Sequence, residues 1–271
     1  MNYRWGRRSR AAIAGAAVLP ILGAITVAPA SATAAPCSKA RLNPNVAPGG
    51  NFNLSQWELQ LPTGTTNNTT TISPSQLKGA SGFQDKYFYT DPTDGSMTFW
   101  DPENGVTLGS KYPRTELREM TAGGALAEWN VTGNNTLSAT VMSKKIPDHV
   151  TVGQIHLDNS SGSSKPLLEL FYESNGDVAL FLEQTPAGGN GVPTTIAHIP
   201  LGTKWSYSID LNGSHDIAVT INGATTHFTE PSAFDGYKMY FKAGDYDQSV
   251  GSSSKIGALV HFYALSFSHT S

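Results

Sequence analysis

Residues 205–223 read WSYSIDLNGSHDIAVTING, and this segment gives the clearest indication of the fold class. Two runs, Trp205 to Leu211 and Asp216 to Ile221, alternate apolar and polar side chains, which is typical of a β-strand with one buried face. The dipeptides Asn212-Gly213 and Asn222-Gly223 follow these runs and supply the positive φ angles that tight hairpins require. We therefore predict antiparallel strands joined by short turns.

The same pattern continues on both sides of this segment, with turn signals between the runs. Further predicted strands cover Trp57 to Leu61, Ser96 to Trp100, Leu137 to Met142, Leu167 to Tyr172, Val178 to Glu183, Lys238 to Ala243 and Ala258 to Phe267. Only Ser73 to Leu77 has the pattern of a short helical turn. Many short strands with little helical periodicity predict an all-β protein, folded as a β-sandwich or jelly roll.

The amino terminus has the features of an export signal. Four Arg precede an apolar run from Ala11 to Ala28, and Ala32-Thr33-Ala34 forms a small-residue cleavage motif. A membrane anchor is disfavoured because the run is short and contains Pro20. We predict that residues 1–35 are a secretory signal peptide and that residues 36–271 form one extracellular, monomeric domain without membrane contact.

Charge and cysteine content exclude several classes of function. The chain has 18 Lys plus Arg against 21 Asp plus Glu, and the excess of acid argues against nucleic acid as a partner. Cys37 is the single cysteine, which excludes an intramolecular disulfide and Cys-rich zinc sites. The spacing of the histidines suggests no metal site, so we predict neither a metal nor another cofactor.

Three segments place polar residues at every second position: RTELR at 114–118, QIH at 154–156 and YFKAGDYDQ at 240–248. Because side chains of a strand alternate between faces, the polar members share one face if no bulge intervenes. We predict that they lie on an outer sheet face. They are Arg114, Glu116, Arg118, Gln154, His156, Tyr240, Lys242, Tyr246 and Gln248.

Each segment alone is typical of a solvated strand with cross-strand ion pairs. If the three strands are neighbours, however, they form a basic, hydrogen-bonding face on an acidic protein. Binding of carboxylate groups is the function that such a local cluster favours. We predict that Glu116 holds Arg114 and Arg118 by ion pairing and is not itself a catalytic acid.

In this order the three segments resemble the signature blocks of the family 7 polysaccharide lyases, the alginate lyases. Asn51 to Pro62 is similar to the first strand of that family, so the resemblance extends over nearly all of residues 36–271. It implies a β-jelly roll with a concave substrate groove, and alginate as an anionic polysaccharide partner. It also implies β-elimination without a cofactor. The sequence contains no obvious insertion that would block such a groove, which favours endo cleavage.

The resemblance also implies roles for single residues. Arg114, Gln154 and His156 would neutralise the uronate carboxylate, and Tyr246 would handle protons. Ile155 is the variant associated with guluronate-containing substrate. Asp245 and Asp247 replace the commoner neutral residues of the third block, which predicts weaker affinity for an anionic chain. The substrate-binding set would be Glu116, Arg118, Tyr240, Lys242 and Gln248.

Removal of the C5 proton beside a carboxylate builds up enediolate charge, which cationic and hydrogen-bonding groups stabilise. A base must take the C5 proton and an acid must protonate the leaving O4. In guluronate these atoms lie on opposite faces of the sugar, which favours His156 as base and Tyr246 as acid. In mannuronate they share a face, where Tyr246 can do both.

Three alternatives remain open at the level of sequence. A lyase for another polyuronate, such as glucuronan, fits the same residues. A concanavalin-like glycoside hydrolase needs two opposed carboxylates, and the odd spacing of Glu116 and Glu119 sends them to opposite faces. A non-catalytic carbohydrate-binding jelly roll gives no reason for Arg, Gln, His and Tyr to converge.

Overall fold

Fifteen antiparallel strands account for about half of residues 41–270, which are the residues that the computed structural model describes. The strands are β1 Trp57–Thr65, β2 Asn68–Ile72, β3 Phe88–Thr90, β4 Met97–Pro102, β5 Thr115–Glu119, β6 Asn134–Lys145, β7 His149–Leu157, β8 Pro166–Glu173, β9 Asp177–Leu182, β10 Val192–His198, β11 Trp205–Asn212, β12 Asp216–Ile221, β13 Ala224–Thr229, β14 Met239–Asp247 and β15 Gly257–Thr270. The predicted signal peptide and Cys37 lie outside the described residues.

Helical structure within the described residues is confined to single turns. The short α-helix α1 Pro48–Asn51 precedes β1. A second, α2 Pro74–Leu77, and two 3₁₀ turns, Asn159–Ser161 and Ser232–Phe234, lie between strands. The helix α2 confirms the helical turn predicted after Ser73. No helix among residues 41–270 has the length and apolar character needed to cross a bilayer.

The strands form two packed sheets, as a jelly roll requires. The eight-stranded sheet has the order β10-β9-β8-β7-β14-β5-β1-β2, and the seven-stranded sheet has the order β13-β12-β11-β6-β15-β4-β3. In the first sheet β14 is inserted between β7 and β5, although these strands are far apart in sequence. The predicted all-β jelly roll is therefore confirmed.

The core lies between the sheets and follows the predicted alternation. Along β11 every second residue is buried, beginning with Trp205 and ending with Leu211. From the same strand, the Tyr207 hydroxyl donates to the Val152 carbonyl oxygen of β7 at 2.8 Å and so connects the two sheets. A Cβ at Gly153 would lie 2.7 Å from that hydroxyl, which explains glycine at this position.

The strands absent from the sequence prediction are β2, β3, β10 and β13. These four are the outermost strands of the two sheets. Most residues of β10 and β13 are exposed, and β3 has only three residues. Because an edge strand need not bury one complete face, it lacks the alternation on which the prediction depends.

Asp245 and Asp247 lie between the sheets, and they are fully buried together with Asp101 of β4. The Asp247 amide donates to Asp101 Oδ2 at 3.1 Å, and the Asp247 carboxylate accepts from the Ala258 amide of β15 at 3.2 Å. Both carboxyl oxygens of Asp245 lack a hydrogen-bond partner among the described residues. The predicted effect of these two residues on substrate affinity is therefore wrong, since neither reaches the outer face.

Burial and repulsion from Asp101 raise the pKa of Asp245 well above its ordinary value. The folded state binds the Asp245 carboxyl proton more tightly than the unfolded chain does. The resulting contribution to the free energy of unfolding is present at low pH. It is lost as the pH rises through the raised pKa. Asp245→Asn removes the titration, so its melting temperature should fall less than that of the parent between pH 5 and pH 8.

The measurement is thermal unfolding followed by circular dichroism at several pH values. Asp148→Asn is the control, because that side chain is 68% exposed. If the melting temperatures of Asp245→Asn and the parent protein changed equally with pH, Asp245 would not titrate in this range.

Candidate functional site

The centre of the eight-stranded sheet brings the three polar segments together. The strand β14 lies between β7 and β5, and the Cα of Lys242 is paired with both Gln154 and Arg118. The Cα of Tyr240 is paired with His156 on β7. All the predicted site residues except Arg114 and Gln248 lie within these strands, and those two adjoin strand ends. We call the surface that carries these side chains the groove face.

A bulge interrupts β14, whereas the sequence prediction assumed a strand without a bulge. The register against β7 shifts between Ala243 and Tyr246, and Gly244 has a φ of 150°. A Cβ there would lie 2.8 Å from the Thr115 carbonyl oxygen. Tyr246 nevertheless lies on the groove face, as its contact with Arg114 shows. The Arg114 guanidinium lies 3.7 Å from the centre of the Tyr246 ring.

Glu116 is 1% exposed and binds groups from β7, from β14 and from Arg114, which precedes β5. Its Oε2 accepts from Arg114 Nη1 at 3.3 Å and from the Lys242 ammonium. Its Oε1 accepts from the side-chain amide nitrogen Nε2 of Gln154 on β7. One carboxylate therefore fixes two cations and a neutral donor side by side.

The predicted ion pair between Glu116 and Arg118 is wrong. Arg118 Nη2 instead contacts Asp158 Oδ2 at 3.2 Å. The reason is the neighbouring strand, since Lys242 is the direct partner of Arg118 in the sheet and supplies the second cation to Glu116. The alternation of side chains along β5 predicts the face on which each residue lies. It does not predict which side chain of a neighbouring strand contacts that residue.

The groove face is less exposed than an outer sheet face would suggest. Arg114, Gln154, Lys242 and Tyr246 are each less than 10% exposed. Aromatic rings cover the cations, as when the Arg118 guanidinium lies 3.8 Å from the centre of the Tyr240 ring. The polar groups are therefore held in a poorly solvated layer, where their electrostatic interactions are stronger than in water.

His156 is poised as a neutral base. Its Nδ1 lies 2.8 Å from the Leu157 carbonyl oxygen, which can only accept, so Nδ1 carries the hydrogen and Nε2 has the free lone pair. Burial, followed by repulsion from Lys242, lowers the pKa of His156 well below its ordinary value. The imidazole is consequently neutral at pH 7. Its ring stacks on Tyr240 at a centroid distance of 5.1 Å.

Tyr246 and Lys242 are also shifted by their surroundings. Burial raises the pKa of Tyr246, although the Arg114 charge opposes this, so the phenol is protonated at neutral pH and can donate a proton. Burial and the nearby Arg114 charge lower the pKa of Lys242 to about 8. A neutral base and a protonated acid therefore coexist on one face, as general acid–base chemistry requires.

Two groove-face residues escaped the sequence analysis. Gln60 on β1 is paired with Glu116, and Glu169 on β8 is paired with Gln154. The Thr151 hydroxyl donates to Glu169 Oε1 at 3.1 Å, and burial raises the pKa of Glu169 to about 7. Signals for both were present, because Gln60 alternates with Leu59 and Leu61, and Glu169 is a lone acid within an apolar run.

Several donors on the groove face have no hydrogen-bond partner among residues 41–270. Such orphaned buried groups cost free energy and are typical of sites that await a polar ligand. The donors are Gln60 Nε2, Arg114 Nε, Arg118 Nε and Gln248 Nε2.

Glu119 lies on the opposite side of β5 from Glu116, as the odd spacing predicts. It accepts from Trp129 Nε1 at 2.9 Å, from the Phe241 amide at 2.8 Å and from His269 Nε2 at 2.9 Å. These contacts give it a structural role in holding β5, β14 and β15 together. No cluster of three or more metal-binding side chains occurs among the described residues.

Loss of the Glu116 charge should destabilise the fold strongly, because Arg114 and Lys242 would remain buried without a counter-charge. We expect Glu116→Gln to lower the free energy of unfolding by about 3–5 kcal/mol, the usual effect of breaking a buried ion pair. Urea unfolding at pH 7 measures this change.

The control is Glu128→Gln, which breaks a pair with Lys238 whose side chains are 42% and 39% exposed. An exposed pair contributes about 1 kcal/mol or less. Equal effects of the two substitutions would contradict the central role of Glu116.

Comparison with known proteins assigns this arrangement to a family. A family model described as alginate lyase matches residues 52–269. An alginate lyase from Klebsiella pneumoniae is 27% identical, and the match covers 82% of this chain and 91% of that protein.

Solved structures give the same result. The alginate lyase A1-II′, a member of polysaccharide lyase family 7, is 36% identical with a TM-score of 0.73, covering 83% of this chain and 99% of that one. Alginate lyase PA1167 from Pseudomonas aeruginosa is 33% identical with a TM-score of 0.73, covering 80% of this chain and 99% of that one. This chain therefore belongs to polysaccharide lyase family 7, the alginate lyases.

Proposed function

We propose that this alginate lyase is secreted, cleaves within the polysaccharide chain and prefers guluronate-containing regions. The observation that carries the chemistry is the groove face, where Glu116 fixes Arg114 and Gln154 beside a neutral imidazole and a protonated phenol. Secretion is supported by the signal-like sequence of residues 1–35.

The uronate carboxylate binds to Arg114 and Gln154 in this proposal. Within residues 41–270 the buried Arg114 Nε donor has no hydrogen-bond partner, and Glu116 already aligns both side chains. When the C5 proton leaves, negative charge moves onto the carboxylate oxygens as an enediolate. Fixed donors stabilise that charge without having to reorganise, which is the main source of catalysis at such sites.

Two proton transfers complete the elimination. His156 Nε2 accepts the C5 proton, and the electron pair of the C5–H bond forms the C4–C5 double bond as the C4–O4 bond breaks. The Tyr246 phenol donates its proton to the leaving O4. His156 and Tyr246 come from different strands, β7 and β14, which suits the opposed proton and leaving group of guluronate.

A preference for guluronate is supported by a relative and by Ile155. A variant of A1-II′ has been crystallised with GGG product, and another variant with GGMG substrate. Ile155 is fully buried and faces the core, so it acts through the placement of Gln154 and His156 and not by contact with sugar. One methylene contributes about 1–3 kcal/mol of discrimination, which permits a preference but not strict selection.

Endo cleavage is supported by the spread of free donors across the groove face. Gln60 lies on β1, and Gln248 follows the end of β14. Donors at separate positions on the groove face could contact more than one sugar unit of a bound chain. A chain that is held on both sides can be cut internally.

Alginate mixed with the purified protein should yield rising ultraviolet absorbance from the conjugated C4–C5 double bond, faster with polyguluronate than with polymannuronate. Tyr246→Phe deletes the acid and should reduce kcat by about 10²- to 10⁴-fold. Tyr263→Phe is the control, since that hydroxyl bonds Asp94 away from the groove face.

New reducing ends without absorbance would indicate a hydrolase, and faster turnover of glucuronan would indicate a different polyuronate. Equal rates on the two alginate block types would remove the proposed preference. Unchanged turnover in Tyr246→Phe would remove that residue from the reaction.

Glu169 should make substrate affinity depend on pH. Its raised pKa of about 7 leaves it neutral in mild acid, whereas its charge at higher pH repels the uronate carboxylate. If only the neutral form binds, KM should rise about fourfold from pH 6 to pH 7.5 in the parent protein. Glu169→Gln is neutral throughout and should show a flat KM. An equal rise in the variant would assign the pH dependence to another group.

A further inference from the structure

Tyr240 lies in a continuous stack of side chains from three neighbouring strands. Its Cα is paired with that of His156 on β7, and β5 lies on the other side of β14. The His156 ring stacks on the Tyr240 ring at a centroid distance of 5.1 Å and an interplanar angle of 28°. The Arg118 guanidinium lies 3.8 Å from the centre of the same ring. Because β7 and β5 flank β14, the imidazole and the guanidinium approach the phenol ring from opposite sides.

We propose that Tyr240 is a positioning residue, which holds the imidazole of His156 in the orientation required for removal of the C5 proton. This inference rests on the proposed function, in which His156 is the base. It gives Tyr240 no contact with the reacting atoms. It also differs from the role in substrate binding that the family resemblance implies for Tyr240.

The neighbouring side chains leave little of Tyr240 for contact with a sugar. The residue is 6% exposed. Stacking on a sugar requires a free face of the ring, whereas His156 and Arg118 approach the Tyr240 ring from both sides. Burial raises the pKa of Tyr240 to about 12, so the phenol is neutral at pH 7. What Tyr240 supplies to the site is therefore the surface of its ring.

Two contacts together fix the orientation of the imidazole. The Nδ1 hydrogen of His156 is donated to the Leu157 carbonyl oxygen at 2.8 Å, which leaves Nε2 as the free nitrogen. A single hydrogen bond still allows the imidazole ring to tilt, and a stacked aromatic neighbour restricts that motion. Tyr240 packs against the ring face and so defines the direction of the Nε2 lone pair. Proton transfer depends on such placement.

An ion pair across β14 holds the other side of the stack. Arg118 Nη2 lies 3.2 Å from Asp158 Oδ2, and Asp158 follows His156 by two residues. The Ser160 amide donates to Asp158 Oδ1 at 2.8 Å and fixes that carboxylate. The contacts therefore form a closed path from β7 through Tyr240 to Arg118 and back to the end of β7. Because a guanidinium is attracted to the face of an aromatic ring, Arg118 keeps the Tyr240 ring in contact with the imidazole.

Removal of the ring should lower turnover more than binding. We expect Tyr240→Leu to reduce kcat on polyguluronate by about 10- to 100-fold, because a misplaced reacting group loses rate on this scale. KM should stay within about threefold of the parent value. Tyr240→Phe keeps the ring and should restore kcat to within about threefold of the parent.

The matched control is Tyr263→Leu, which should leave kcat unchanged. The Tyr263 ring also carries a cation, Lys204 Nζ at 3.3 Å from its centre, but it belongs to β15 of the seven-stranded sheet. Turnover of every variant is expressed per folded protein, as determined by circular dichroism.

A double-mutant cycle shows whether Tyr240 acts through His156. If it does, the Tyr240 ring has nothing to position once the imidazole is removed. His156→Ala and the double variant His156→Ala/Tyr240→Leu should then have the same kcat within about twofold. If Tyr240 contacts the sugar directly, the two losses multiply, and that result would overturn the inference. Should Tyr240→Leu not fold, Tyr240→Met is a longer side chain without a ring and replaces it in the cycle.

Failure of this inference is distinguishable from failure of the proposed function. If the parent forms unsaturated product, His156→Ala loses turnover and Tyr240→Leu keeps kcat within twofold, only the positioning role fails. A large rise in KM with unchanged kcat in Tyr240→Leu would also overturn it and would assign Tyr240 to substrate binding. Full turnover of His156→Ala would remove His156 as the base, and the role of Tyr240 with it. If the parent forms no unsaturated product from alginate, the proposed function itself fails.

Discussion

A buried carboxylate with three partners is the constraint on which the groove face depends. The Glu116 side chain lies in a poorly solvated layer, where Arg114, Lys242 and Gln154 compensate its burial by ion pairs and a hydrogen bond. These partners come from three separate segments of the sequence, and the insertion of β14 between β5 and β7 brings them together. In the proposed mechanism these ion pairs also hold Arg114 in place, so that it needs no reorganisation when a sugar carboxylate arrives.

Burial shifts the pKa values of the candidate base and the candidate acid in opposite directions. It lowers the pKa of His156 and raises that of Tyr246. The imidazole is therefore neutral and the phenol protonated at the same pH, so one environment prepares both a base and an acid. The Nδ1 bond to the Leu157 carbonyl oxygen completes this preparation by leaving Nε2 as the free nitrogen.

Sequence predicted the inner strands and the strands that carry the candidate site residues well, because both follow a period of two with one buried face. It missed the edge strands β2, β3, β10 and β13, where short length or two-sided exposure removes that period. It also assigned the wrong partner to Glu116, since the ammonium of Lys242 arrives from another strand.

The most direct test of the account is a crystal structure of the Tyr246→Phe variant with a guluronate oligosaccharide. The account predicts one uronate carboxylate within hydrogen-bonding distance of Arg114 and Gln154, with the C5 hydrogen of that sugar directed at His156 Nε2. A sugar chain bound on the groove face with its carboxylates turned towards solvent, or bound to another surface, would contradict it.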